Sequence, residues 1–470
     1  MNDFVRVITA FVVVLLAGLL VIRAADKRGE IDCGVGARFS LAFMLGLGAI
    51  SLQMFFYAIA SIEFGYVRIA APWVVLSAVS LAFPGRKKAS QKPPPGGFGA
   101  VEAVFEIIIL SQAAYLLLYA FLLPVFGWDA WHIWLLKAKV FFVEKGVPTG
   151  FLLDEALKYA HQDYPLLVPL STAWIYTALG AAEETAAKVM WPIQFLAMIN
   201  IFHFAAKKAA GARVALVFAA LLALTPIMLS HASGLLARVG PLPAGNYAGY
   251  ADLTLSIYLM SAGAFLYIYA SEGGGWAVTF SAASFALAAW TKNEGLPAAL
   301  FGLILISWCA FGRKGWIIKT AGSAAIVLLF TAPWFLYKSY YGIGSEYTGN
   351  LSPALIAENI GRLKIIIPSL LSYLFTETSL YNFAWWVYAV SLALNWRGFM
   401  KRPVLVLNLM VFFQTALYVF VYVITPADVK WQLSTSLDRV VLHILPLAML
   451  VSAVNVSSFI RAGVEPQSED

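Results

Sequence analysis

Apolar runs of about twenty residues, the length that crosses a bilayer as helix, recur along almost the whole chain. Nothing else in the sequence constrains the fold as strongly. The runs lie near 4–22, 39–60, 66–83, 101–126, 187–206, 213–231, 251–270, 276–291, 295–312, 317–338, 381–396, 403–424 and 439–460. They predict an all-α polytopic membrane protein with about thirteen transmembrane helices. Only 12% of the 470 residues are charged, against roughly a quarter in soluble domains. A soluble nucleic-acid-binding domain is thereby excluded, although the net charge is +7.

The positive charge is unevenly placed. The stretches "RAADKRGEIDCGVGAR", "GRKKASQKPPPGG", "KKAAGAR", "GRKGWIIK" and "NWRGFMKR" are all basic. The thirteen runs put all five on one side, which the positive-inside rule makes cytoplasmic. The first run is flanked by "AADKRGE" and reads as a retained span rather than a cleaved signal. Residues 1–100 then hold three spans and an inner linker. Residues 101–460 form a core with outer segments 127–186, 232–250, 339–380 and 425–438, and 461–470 form a cytoplasmic tail. Residues 164–180 are also apolar, but a crossing there would move "KKAAGAR" outside. Pro165 and Pro169 suit a re-entrant or membrane-surface helix pair instead, covered by protein. Cys33 sits in a basic loop and Cys309 in an apolar run, so no disulfide framework is readable.

The outer segments carry the chemistry. "GWDAWHIWLLKAKVFF" begins at Gly127. On a regular helix, Trp131, Trp134, Leu135, Ala138, Phe141 and Phe142 share one face. Asp129, His132, Leu136 and Lys139 share the other, with Lys137 to one side. This pattern predicts an interfacial amphipathic helix with tryptophans at headgroup depth. An aromatic belt with snorkelling lysines accounts for the indoles and lysines. It does not account for Asp129, a carboxylate flanked by indoles at a bilayer edge.

Four further polar clusters follow. His161, Asp163 and Tyr164 precede the proline-broken segment. His161 and Asp163 are either a metal-ligand pair or a turn whose Asp163 caps the next helix. Arg238 lies in the loop before Asp252, and Asp252 stands at a helix mouth as a cap or a site acid. Lys292, Asn293 and Glu294 interrupt an apolar stretch where a plain loop needs only Gly and Ser. Thr435 and Asp438 have capping-box spacing ahead of Arg439. Arg439 is then an interfacial anchor or an anion site.

Several absences narrow the reaction. There is no Walker lysine loop and no Rossmann glycine pattern, and no Ser-His-Asp spacing suggests acyl transfer. Glycosyl transfer from a lipid-phosphate sugar fits: the phosphate leaves when cations stabilise it, and the acceptor hydroxyl needs one carboxylate base. A single base opposite the leaving group implies inversion, by analogy with inverting glycosidases.

"GWDAWHIWLLKAKVFF", "HQDYPLLVPL", "GYADLTLSIYL", "WTKNEGLPAAL" and "WQLSTSLDRVVLHILP", in this order, resemble bacterial membrane glycosyltransferases of the GT-C superfamily. Relatives of that kind include lipid A aminoarabinose transferases, protein O-mannosyltransferases and lipopolysaccharide-core transferases. The resemblance covers about 101–460. It implies a GT-C-like fold, a catalytic base at Asp129, and a second outer acid at Asp252. It also implies a donor phosphate held among Arg439, Lys292, Lys139 and Lys137. The pocket would take in His132, His161, Asp163, Tyr164, Glu294 and Arg238. The expected partners are a polyprenyl-phosphate-linked sugar, a lipid or glycan acceptor and membrane lipids. The expected location is a bacterial inner membrane with the site on the periplasmic face. Asp129 lacks the acidic neighbour that protein mannosyltransferases carry, so no metal and no cofactor are expected. A transporter or flippase of a lipid-linked glycan and a non-catalytic assembly subunit are the rival readings.

Overall fold

Every predicted apolar run is helical in the computed structural model, which describes residues 3–26, 31, 33–82, 99–234, 237–239, 242–244, 247–345 and 352–464. The inner linker at 83–98 and the tail at 465–470 lie outside the described residues. Eight of the described helices are long and apolar enough to cross a membrane: Asp3–Ala25, Gly34–Ile59, Ala100–Leu122, Glu184–Ala210, Asp252–Glu272, Trp316–Tyr341, Arg402–Ile424 and Val429–Ala462. A ninth crossing is made if Ala212–Ala223 and Pro226–Ser233, bent by 63°, act as one broken span. These helices define an α-helical integral membrane protein. Tyr66–Ala82, Gly295–Ala310 and Ala384–Leu394, three of the remaining predicted spans, are shorter than a full crossing.

The first two helices pack through small residues. A Cβ on Gly18 would lie 1.7 Å from the Ala42 carbonyl oxygen, and one on Gly46 would lie 1.9 Å from that of Val14. Close backbone approach of this kind drives helix association in lipid, where apolar burial between helices gains little. Gly34–Ile59 is then held inside the bundle, where Tyr258 Oη donates to Met44 O at 2.8 Å and Trp290 Nε1 to Ser51 Oγ at 3.0 Å.

One end of the bundle gathers two of the basic loops, "KKAAGAR" and "GRKGWIIK". Arg313 donates to the carbonyls of Tyr269 and Ala270, Lys208 pairs with Glu272, and Arg213 pairs with Glu102. The opposite end carries residues 127–186. Leu167–Leu179 is a single helix of 13 residues, buried at all but one position. At 1.5 Å per residue it spans about 20 Å, too short to cross. Both its ends stay at this end of the bundle: the preceding Asp163 meets Asn293, and Leu179 O accepts from Arg6 near the chain start.

Two expected elements are corrected. The segment at 128–143 is not one regular helix. A π turn at Ala130–Trp134 leads into an α-helix at Leu135–Val143. The wider turn rotates the following faces. Trp131 is therefore half exposed while Trp134 is buried, so the two do not share one face, and Lys137 is fully buried rather than to one side. The last helix starts at Val429, not near 439, so Thr435 and Asp438 are interior to it. Thr435 Oγ1 bonds Trp431 O one turn back and caps nothing.

Candidate functional site

Asp129 immediately precedes the π turn, and its backbone N–H donates to Tyr250 Oη at 3.2 Å. Gly249 makes this approach possible. Its φ is 94°, and a Cβ there would come within 2.7 Å of the Ala130 methyl. The Asp129 carboxylate accepts from Arg439 Nη1, so two residues 310 positions apart meet in an ion pair. Arg439 is oriented from its own helix, where Nε and Nη2 both donate to Thr435 O at 3.2 and 2.9 Å. Its guanidinium lies 5.1 Å from the Tyr250 ring centre, a cation–π distance.

Behind this pair sits Asp252, at the first position of its helix, with its side chain 2% exposed. Oδ1 accepts from Lys292 Nζ at 2.9 Å and faces His443 Nε2 at 2.8 Å; Oδ2 lies 3.8 Å from Arg439. The residue is a hub of charge rather than a helix cap. Lys292 also meets Glu294 at 3.2 Å, whose other oxygen is buried without a hydrogen-bond partner among the described residues. The tight hairpin between Gly275–Thr291 and Gly295–Ala310 presents these groups. A Cβ on Gly295 would lie 2.0 Å from Ala288 O, so only glycine permits that turn.

The network continues into the helices. His443 Nδ1 meets Tyr418 Oη at 2.6 Å, and Gln414 Nε2 donates to the same phenol at 2.9 Å. With His443 neutral, every group in this chain finds a partner. The amide donates to the phenol, the phenol to Nδ1, and Nε2–H to Asp252. On another side, Tyr247 Oη donates to the buried Asp438 carboxylate. Burial pushes the phenols of Tyr247 and Tyr250 up, so both remain donors at neutral pH.

Asn293 links this network to a second cluster by donating to Asp163 Oδ2 at 2.8 Å. Asp163 does not cap the helix at Leu167–Leu179, whose N-cap position is Leu166. The Asp163 backbone oxygen accepts from Lys338 Nζ and Trp334 Nε1, both at 3.3 Å. His161 adopts a left-handed conformation (φ 47°), and its ring stacks on Tyr164 at 5.0 Å. Lys137 Nζ donates to His161 O and lies 5.6 Å from the rings of Trp134 and Tyr164. Burial pulls the Lys137 amine down to about 7, with Asp163 opposing the shift.

Asp129, Asp252, Lys292, Glu294 and Arg439, five of the predicted site residues, thus share one continuous ionic network. Asp163, Tyr164, His161 and Lys137 form the adjoining cluster. Lys139 pairs instead with Glu184, and His132 is half-buried and stacked on Trp128 at 4.4 Å. Arg238 falls in a short strand, Ala237–Val239, and its side chain lies outside the described residues. The sequence reading missed His443, Tyr418, Gln414, Tyr250 and Lys338. A signal existed for three of them. His443 follows Arg439 by four residues, and Gln414 and Tyr418 are also four apart, so each pair shares a helix face. Among the described residues, no group of three or more His, Cys, Asp or Glu side chains is placed to hold a metal ion.

Fold and site together define a polytopic α-helical membrane protein whose bundle closes, at one end, over a carboxylate–cation network. No family model, curated protein or solved structure matches the chain.

Proposed function

We propose that the protein is an inverting glycosyltransferase of GT-C type, which moves a sugar from a polyprenyl-phosphate donor to a hydroxyl on a lipid or cell-envelope glycan. In this reading the short apolar helices complete about thirteen crossings. The network end faces the periplasm of a bacterial inner membrane. The observation that carries the reading is the junction of Asp129 with Arg439. It places a partly accessible carboxylate beside a guanidinium, with side chains 22% and 13% exposed. Those are the two groups that transfer from a phosphate-linked sugar requires.

Asp129 takes the proton from the acceptor hydroxyl. The hydroxyl oxygen bonds to the anomeric carbon as that carbon's bond to the phosphate oxygen breaks. The electron pair stays on the departing polyprenyl phosphate, whose added charge Arg439 balances. Lys292, held between Asp252 and Glu294, offsets part of the negative charge behind the guanidinium. Trp128 and Trp131, each about half exposed, supply aromatic surface at headgroup depth for the donor's lipid portion.

The depth of Asp252, His443 and Lys292 inside the bundle favours a second reading, a transporter of a lipid-linked glycan, because ionisable residues within spans mark translocation paths. Glycosyl transfer by purified protein separates the two. The enzyme reading expects transfer that Asp129→Asn abolishes. Transport without transfer, lost on altering Asp252, would replace it.

A further inference from the structure

A phosphate entering this network finds no spare cation. Among the described residues, Arg439 and Lys292 are its permanent cations, and both already meet carboxylates. The acids are Asp129, Asp252, Glu294 and Asp438. An anionic ligand that binds Arg439 or Lys292 takes that cation away from one of them. The candidate exchanges are unequal. Lys292 and Asp252 are 8% and 2% exposed, and Asp252 also holds the buried His443, so separating them would strand two charges. The Arg439–Asp129 pair is the more open to water, and an ion pair in partial contact with solvent is cheaper to part. Arg439 would also keep its anchors to Thr435 O and its neighbour Asp252 after letting go.

Reaction geometry points the same way. In an inverting displacement the attacking and leaving oxygens lie on opposite sides of the anomeric carbon. A guanidinium serving the leaving phosphate cannot remain on the base across that carbon. We therefore propose that Arg439 is an exchange latch. It holds Asp129 in the unliganded protein and passes to the phosphate monoester or diester of a bound lipid, which frees the Asp129 carboxylate for the acceptor hydroxyl. This rests on the glycosyltransferase reading for its consequence, but the exchange itself is a binding equilibrium and is measured without catalysis.

The test is binding of a short-chain polyprenyl phosphate without sugar to the full chain in phosphatidylcholine nanodiscs. The corresponding polyprenol and inorganic phosphate serve as controls. Asp129→Asn removes the competitor for Arg439, so the variant predicted to lose transfer binds the lipid phosphate more tightly, by about tenfold. That is the factor carried by one charge-assisted hydrogen bond. Arg439→Gln loses the phosphate-dependent part of the affinity, and the double variant matches Arg439→Gln. Equal or weaker binding by a D129N protein that keeps its thermal transition overturns the exchange. Tightening that survives in the double variant places the phosphate on another cation, such as Lys137, and overturns it too.

Hydrogen exchange on the wild type tests the same point if the variants do not fold. Adding the lipid phosphate speeds exchange across 128–134 as Asp129 is released, and unchanged or slower exchange there contradicts the latch. The two readings fail separately. Undiminished transfer by D129N removes the base but leaves the exchange standing, and a folded D129N protein that binds the lipid phosphate no more tightly removes only the exchange.

Discussion

Replacing Asp252 by Asn tests whether the buried network is a connected unit. The carboxylate sits 2.9 Å from Lys292 Nζ and 2.8 Å from His443 Nε2, and its side chain is 2% exposed. At an effective dielectric of about 20, a pair at that distance attracts by about 6 kcal/mol. The charges also lost their hydration on burial, so the cost of removing one partner is smaller, about 3–5 kcal/mol. In Asp252→Asn, Lys292 keeps only Glu294, at 3.2 Å. In Lys292→Met, Asp252 keeps His443 and the more distant Arg439, at 3.8 Å. Each single variant leaves an under-compensated charge in a water-poor place. The double variant removes both members of the Asp252–Lys292 pair and strands Glu294 only as Lys292→Met already does, so its cost should fall about 3 kcal/mol short of the sum of the singles. Reversible unfolding in mixed micelles measures all three. Additivity to within about 0.5 kcal/mol, the behaviour of distant independent sites, would refute the claim that these side chains act as one network.

Three further outcomes follow from other parts of the molecule. Tyr418→Phe removes the hydroxyl between His443 Nδ1 and Gln414 Nε2. It should cost about 1–3 kcal/mol through the partners left unpaired, read in the same micelle titration. Gly46→Ala places a methyl against the Val14 carbonyl. It should destabilise the bundle by at least about 1–3 kcal/mol, the usual cost of overpacking, with a matching fall in thermal transition. For Lys137, burial holds the amine at about 7 against an ordinary 10.5. Between these values the unfolded chain carries a proton that the folded chain lacks, so stability rises with pH across that window and is flat below it. Lys137→Met should abolish that slope in a pH series of thermal melts.

What the sequence revealed and what it hid have physical causes. Asp129, Asp252, Lys292, Glu294 and Arg439 were legible because an ionised group in an apolar chain is costly and needs a partner. Listing them did not pair them. The meeting of Asp129 with Arg439 depends on Gly249 and Tyr250, and the position of Lys292 depends on the glycine that closes its hairpin. The faces of the 128–143 segment were misread because a π turn adds a residue that a 3.6-residue period does not contain. The thirteen apolar runs were real as helices, but hydropathy does not report length after a bend, as the break between Ala223 and Pro226 shows. His443, Tyr418 and Gln414 went unnoticed because attention to loops stops where a span begins. This network descends into the spans.

The base assignment at Asp129 is decided most directly by one rate. Purified protein in nanodiscs would be given a polyprenyl-phosphate sugar and a hydroxyl acceptor, and glycosidic product followed over time, with wild type and Asp129→Asn compared at equal folded amounts. Loss of a positioned base predicts a fall of about 10²–10⁴-fold, with inverted configuration in the wild-type product. A D129N rate within a few-fold of wild type, or product of retained configuration, would contradict the account.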